Sequence, residues 1–315
     1  MGDTDVIHRM GRELDWNESF YFSFYDKVND ICGFMRIGLK PNRVQKNVFC
    51  FLIMPDGSIV GMKKDVPYSD TELSAGGLVF QKIIPEKRWK MMFNGGLHAV
   101  FEEGRPLKRT SFMLDWSGLN DVFDYRDCIS GGIKEEMSKR VASEHLEQFG
   151  RVKGLLEVGG KKYEIEGLGE RDHSWGVRDW NAPKMWIWLT CQFSDDCALN
   201  LTKLVVEQGE VDAGFIHLDG RNIPLMKASI DTVYGDAGSP ESFEMVLEDK
   251  EGNSHSVSAT VKKKAIMEFP NPEGHGISLM HETLAEYRMG DRVGYGIAEY
   301  LIRERNDIIQ IASDP

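Results

Sequence analysis

The chain has 315 residues and a mass of 35.8 kDa, enough for one large domain or two of about 150 residues each. Its 41% hydrophobic and 28% charged content excludes long disorder and fibrous repeats. With 50 acidic against 38 basic residues the formal charge is -12, a field that repels phosphate backbones and anionic lipid, so no nucleic-acid partner is expected. No segment reaches the roughly 18 consecutive apolar residues of a membrane helix. The opening MGDTDVIHRM lacks the apolar stretch of a signal peptide and places Val6 where N-myristoylation wants Ser or Thr. A cytoplasmic protein with no integral membrane segment is therefore expected. The five scattered cysteines, Cys32, Cys50, Cys128, Cys191 and Cys197, read as reduced thiols, and only the last two could meet across a hairpin.

In chain order, short apolar runs alternate with turn signals at intervals of roughly ten residues, the pattern of antiparallel β architecture. Phe20, Phe22 and Phe24 alternate with Tyr21, Ser23 and Tyr25. Lys46 to Met54 and Ser58 to Lys63 flank the turn Pro55, Asp56 and Gly57. Trp89 to Phe93 and Leu97 to Phe101 are predicted to flank a turn at Asn94, Gly95 and Gly96. One helix is predicted from Lys134 to Glu147, where Met137, Val141, His145 and Leu146 recur at helical spacing. Gln148 to Glu157 and Lys162 to Glu166 flank Gly159 and Gly160, and Met185 to Phe193 and Ala198 to Val206 flank Ser194 to Asp196. Ala213 to Leu218 ends at Asp219 and Gly220. The fold class read from this is all-β and mainly antiparallel, with a β domain over residues 1–132, a linking helix over 133–147 and a second β domain over 148–315.

Along Met185 to Phe193 both strand faces are apolar, with Trp186 and Trp188 on one and Ile187, Leu189 and Cys191 on the other. Such a strand is covered twice, by packed core and partner domain or by a cavity for an apolar ligand. The chemistry concentrates in Gly167 to Trp180, GLGERDHSWGVRDW. Asp172 and His173 are adjacent, Glu170, Arg171, Arg178 and Asp179 surround them, and Trp175 and Trp180 supply apolar bulk. Desolvation would raise a carboxyl pKa there, whereas a neighbouring arginine would lower it. An Arg–Asp ion-pair network at a strand end is the plain structural alternative. In an extended strand Arg171, His173 and Trp175 face one way and Asp172 and Ser174 the other, so Asp172 and His173 address one atom only across a bulge.

Familiar motifs fail elsewhere. Asp172 replaces the third glycine of a GxGxxG begun at Gly167, and Glu299 does the same after Gly294 and Gly296. The HExxH begun at His281 and Glu282 ends in Ala285. No two of the eight histidines have ligand spacing, so no metal site is expected.

The run from Gln148 to Trp180, ending in GERDHSWGVRDW, resembles the carotenoid 1,2-hydratase (hydroxyneurosporene synthase) superfamily and its motif GxxHDHNWG; kievitone hydratase, AttH-like proteins and fungal Diels-Alderases are related members. A closer similarity, through RDHSWGxRDW and the late GYGIAEY at Gly294 to Tyr300, is to a branch of largely uncharacterised bacterial proteins. The resemblance implies two tandem lipocalin-like β-barrels and assigns Asp172 as proton donor to an alkene. Arg171 stands where the family has His and Ser174 where it has Asn, whereas His173, Trp175 and Gly176 match. The expectation is a cofactor-independent hydratase, lyase or cyclase acting on a hydrophobic terpenoid, prenylated or aromatic molecule. Asp172 and His173 would be catalytic, and Trp175, Arg178, Trp186, Trp188, Tyr21 and Tyr25 would bind substrate, with Asp115 a further acid to consider. The alternative is a non-catalytic lipocalin-like carrier of an apolar ligand. A homodimer is left open by the sequence.

Overall fold

A computed structural model of the chain describes residues 4–100, 102–128, 144–177, 183–207, 209–235, 238–270 and 277–304. Nearly all of these are strand, and the described residues include no α-helix; 3-10 turns lie at Pro41–Arg43 and Tyr125–Asp127. The first eleven strands are β1 (Trp16–Asp26), β2 (Ile31–Lys40), β3 (Gln45–Ile53), β4 (Ile59–Pro67), β5 (Ser74–Ala75), β6 (Leu78–Ile84), β7 (Arg88–Ala99), β8 (Leu107–Gly118), β9 (Phe123–Asp124), β10 (Glu144–Val158) and β11 (Lys161–Val177). They form one sheet in the order β4-β3-β2-β1-β11-β10-β8-β7-β6-β5, with β9 beside β10. Val60 and Gly61 of β4 pair with Ala99 and His98 of β7, which curls the sheet into a ring. The remaining strands are β12 (Met185–Ser194), β13 (Cys197–Val206), β14 (Gly209–Leu218), β15 (Arg221–Tyr234), β16 (Pro240–Asp249), β17 (Ser254–Pro270), β18 (Ile277–Met289) and β19 (Arg292–Glu304). These close into a barrel in sequence order, β19 pairing back to β12.

Side-chain alternation builds the layers. Phe20, Phe22 and Phe24 point into the first ring with Trp89 and Trp116, and Ile187, Leu189 and Cys191 point into the second barrel with Phe243 and Tyr287. The opposite faces of the same strands meet each other: Tyr21, Phe34, Phe49 and Phe51 pack against Trp186, Trp188, Leu204 and Leu301. A second contact stacks Phe123 on Phe215, with Phe149 tilted against the same ring. Strands apolar on both faces are thus covered by core on one side and by the other barrel on the other. Each buried tryptophan removes 150–250 Å² from water, about 4–6 kcal/mol at 25 cal/mol per Å², so the interface is a strong constraint and not a loose seam.

Three sequence expectations change. Asn94, Gly95 and Gly96 make no turn; they pair with Ser111, Thr110 and Arg109 inside the continuous strand β7, where glycines ease the bending of a ring strand, and the reversal comes later, at Gly104. Of the helix expected at Lys134 to Glu147, positions 134–143 lie outside the described residues, while Glu144 to Glu147 are strand; His145 and Glu147 project from one face of β10 with strand spacing. Finally, β10 and β11 were expected in the second domain, yet β11 pairs with β1 from Trp16/Val177 to Tyr25/Leu168, so the RDHSWG motif lies in the first sheet. The five cysteines are free, and no helix among the described residues is long and apolar enough to cross a membrane.

Candidate active site

No register shift interrupts β11 between β1 and β10, so Asp172 and His173 face opposite sides and no bulge reunites them. His173 points into the first ring. It is 0% exposed; Nε2 lies 2.9 Å from Glu18 Oε1 and Nδ1 2.9 Å from the Thr4 carbonyl. Burial pushes the imidazole down, and Glu18 opposes this. Both nitrogens lie against oxygen atoms, and with the imidazole held below its usual range one nitrogen carries the proton at neutral pH. Burial raises the Glu18 carboxyl, but hydrogen bonds from His173 and His8 hold it below the usual range. Trp175 stacks on His8 at 3.7 Å between ring centres. Arg171 donates to Asp5 at 2.7 Å and to Gln148 at 2.8 Å between the rings of Trp89 and Trp116. The ion-pair network is real, but its carboxylates are Asp5 and Glu18. Arg178 and Trp180 lie outside the described residues.

Asp172 points the other way, into a cavity of about 430 Å³ between the barrels. The cavity's buried end is walled by Tyr21, Phe49, Trp186, Trp188 and Met280, with His145, Asp172 and Glu299 among them. Of the residues expected from the sequence, Asp172, Tyr21, Trp186 and Trp188 meet there, whereas His173, Trp175 and Tyr25 do not. Tyr25 donates to Asp30 at 3.0 Å and borders a separate, water-sized void with Ser23, Glu170, Thr190 and Gln192. Asp115 pairs with Lys90 at 3.9 Å, away from the cavity.

Register explains how the polar groups converge. Glu147 of β10, Asp172 of β11 and Tyr21 of β1 are direct cross-strand neighbours, and His145 sits two residues from Glu147 on the same face. His145 Nε2 is 3.1 Å from both Glu147 Oε1 and Asp172 Oδ1. Burial opposes its charge, but the two carboxylates win and raise the imidazole to about 10. Trp188 Nε1 donates to Glu147 Oε1 at 3.0 Å, and Asn200 Nδ2 donates to Glu170 Oε1 at 2.9 Å. Glu147 Oε2 and Glu170 Oε2 face no other donor among the described residues. Burial raises both carboxyls, Glu170 the further because Glu147 lies against it; a proton is shared between them.

The second barrel supplies another such pair. Glu282 of β18 and Glu299 of β19 are cross-strand neighbours facing the first ring. Neither oxygen of Glu282 meets a donor among the described residues, and burial followed by the charge of Glu299 raises it well above the carboxylate range, so this pair also keeps a proton. Tyr21 stands between the two centres. Burial, Glu282, Glu299, Cys32 and Asp172 push its phenol well up, so its hydroxyl stays a neutral donor beside the cavity.

Two triads carry the nitrogen and oxygen donors a divalent cation accepts: His145, Glu147 and Asp172, and His8, Glu18 and His173, the ligand atoms of each lying within 4.8 Å of one another. In the first, one histidine stands between two carboxylates, whereas in the second two histidines share the single carboxylate Glu18.

His145, Glu147, Glu170, Glu282 and Glu299 were not assigned to the site from the sequence, although Glu170 was noted beside Asp172 and Glu282 and Glu299 appear in motifs that fail. His145 and Glu147 were absorbed into a helical pattern. A signal for the others exists: Met280, Glu282, Leu284 and Ile297, Glu299, Leu301 each place one carboxyl between two apolar residues on one strand face, and a buried carboxyl has to be partnered or protonated.

Fold and cavity define a class of tandem β-barrel protein with a small-molecule-sized chamber between the barrels. Within it, the chain belongs to the family described as "Domain of unknown function (DUF7064)", whose model matches residues 2–304. No curated protein matches the sequence. Among solved structures, an AttH-like protein from Nitrosomonas europaea superposes with a TM-score of 0.64 at 10% identity, covering 96% of this chain and 99% of the other. CghA with Sch210972 gives 0.60 at 9% identity, covering 96% and 94%. Kievitone hydratase from Nectria haematococca gives 0.59 at 11%, covering 90% and 88%. These likenesses establish the shared fold along the whole chain and support the resemblance read from the motif at that level; the chemistry has to be argued from the residues.

Proposed function

We propose that the protein is a cofactor-independent acid–base enzyme, a hydratase or lyase in mechanism, acting on a hydrophobic terpenoid, prenylated or aromatic molecule held between the barrels. The observation that carries this reading is the pairing of two proton centres with opposite settings on facing walls: His145 charged beside Asp172 on the first ring, and Glu282 with Glu299 retaining a proton on the second barrel. Groups whose environments drive their protonation apart divide into acid and base.

In the hydration direction, Glu299 delivers the proton it shares with Glu282 to one carbon of a double bond, and the π faces of Trp186 and Trp188 stabilise the developing cation. Water attacks the other carbon and yields its proton to the Asp172 carboxylate, which His145 orients and Glu147 supports. Dehydration runs the same steps backwards. Tyr21 donates to an oxygen of the substrate where charge develops. This assigns Asp172 as base, not as the proton donor that the resemblance implies, because the His145 imidazolium beside it favours the ionised carboxylate. A cyclisation initiated by protonation would use Glu299 in the same way.

A carrier would need only the aromatic walls; buried carboxyls that must be held protonated are a cost it has no use for. The test uses kievitone and related prenylated phenols in ¹⁸O-labelled water, reading incorporation of label by mass spectrometry. Asp172→Asn and Glu299→Gln should each lower turnover by about 10²- to 10⁴-fold. Full activity in both variants would overturn the assignment, and binding of these compounds with no turnover by the wild type would favour the carrier.

A further inference from the structure

The end of the cavity nearest solvent has a character the acid–base chemistry does not use. Among the described residues, Arg36, Lys40, Lys63 and Lys64 line it together with the carboxylate of Asp65, in a chain whose overall charge is -12. Arg36 Nη1 donates to Asn47 at 2.7 Å and Nη2 to Asn17 at 3.2 Å, which orients the guanidinium along the cavity wall. Lys40 is half-buried, and no hydrogen bond or ion pair reaches its ammonium among the described residues. Burial, with Arg36 and Arg43 nearby, lowers it to about 8, and the more weakly felt Asp15 and Asp65 oppose this without restoring it. A half-buried cation crowded by other cations is unfavourable unless an anion completes the site.

The sheet register sets a distance. Asp172, Tyr21 and Arg36 are consecutive cross-strand neighbours on β11, β1 and β2, and the row continues to Phe49 and Lys63. Neighbouring strands lie about 4.8 Å apart, so Asp172 and Arg36 are separated by about 10 Å along one face. Aromatic rings fill the space between and above them.

Resting on the reading of the cavity as a substrate site, we propose that it selects an amphipathic substrate bearing one anionic group, a carboxylate or a phosphate, bound at the Arg36 and Lys40 end of the cavity while the reacting carbon is presented to Asp172 two strands away. The apolar body lies against Tyr21, Phe49, Trp186 and Trp188. The anion neutralises the crowded wall, fixes which end of the molecule enters first and thereby sets which double bond meets the acid and the base.

The experiment is a displacement assay with the neutral fluorophore N-phenyl-1-naphthylamine in the cavity, competed by decanoate, decyl phosphate and decanol. The wild type should prefer at least one of the two anions over decanol by about tenfold or more, the effect of a charge-assisted hydrogen bond; the tighter anion identifies the headgroup. The double variant Arg36→Gln, Lys40→Gln should bring both anions to the level of decanol and leave decanol unchanged. Lys40→Glu, a charge reversal at this half-buried position, should abolish the preference for both anions as well. Equal competition by all three ligands in the wild type, or an anion preference that survives both variants, would overturn the proposal. Asp172→Asn should keep the preference whatever happens to turnover, so failure of the anion site and failure of the acid–base assignment are separate results.

Discussion

On the inner face of β11, the His173 imidazole, lowered by burial, meets Glu18, and the Arg171 guanidinium meets Asp5, each basic group beside one carboxylate in the sealed interior of the first ring. On the outer face, Asp172 and Glu170 meet Glu147 across the same strand, and His145 is the histidine set among the three. The residue types are the same and the strand is the same. What differs is the charge balance: matched pairs leave little freedom for a proton, whereas an excess of carboxyls around one imidazole drives that imidazole to about 10 and leaves a neighbouring carboxyl protonated. The inner face is built to hold the ring together, the outer face to move protons.

The largest expected effect tests that division directly. Asp172→Asn should cost about 10²- to 10⁴-fold in turnover with little change in stability, because Asp172 borders the cavity and asparagine keeps its shape. His173→Gln, one residue away, should leave turnover per folded molecule nearly unchanged and lower the unfolding free energy instead. Steady-state rates normalised to the folded fraction decide it. A loss of turnover in the His173 variant equal to that of the Asp172 variant would mean that the two faces act as one site.

Arg171→Met should come next in size. Removing one partner of a buried pair leaves Asp5 charged in the interior, at a cost of about 3–5 kcal/mol, read from urea denaturation. Adding Asp5→Asn removes the stranded charge and should recover a substantial part of the loss, as a matched pair predicts. If the double variant is as unstable as the sum of the singles, Arg171 stabilises through its contact with Trp89 and Trp116 and not through the pair.

The parity of β11 was legible from the sequence: alternation alone separates Asp172 and Ser174 from Arg171, His173 and Trp175, and the tryptophans of β12 announce a strand covered on both faces. The hairpins around Asp56, Gly159 and Asp195 were legible because their turn residues are local. What alternation cannot say is which distant strand lies opposite. Closing the first ring requires β11 to pair with β1, so the motif lies in the first sheet, away from the domain to which chain order assigned it. His145 shows the same limit on a smaller scale. Its spacing from Val141 is helical, and only the pairing of β10 with β11 makes it a neighbour of Asp172.

The smallest effect concerns how the interface responds to pH, and its sign can be worked out. Glu282 has its folded pKa raised above the ordinary 4.5, and His145 is raised from 6.5 to about 10. A raised folded pKa contributes stability that is complete below the unfolded value and is lost as pH climbs through the folded one. Both groups therefore weaken the fold in alkali, Glu282 from about pH 4.5 upward and His145 between 6.5 and about 10. Each contributes at most about 1.4 kcal/mol per pH unit. Glu282→Gln isolates the first contribution, since glutamine can still donate to Glu299 but has no proton to lose. Its unfolding free energy should exceed that of the wild type at pH 8, with the gap shrinking towards pH 5, and its turnover should fall because the shared proton is gone. A gap that stays constant between pH 5 and pH 8 would show that Glu282 is ionised in the folded protein as it is in the unfolded chain, and would remove the acid from the second-barrel wall while leaving the His145–Asp172 base in place.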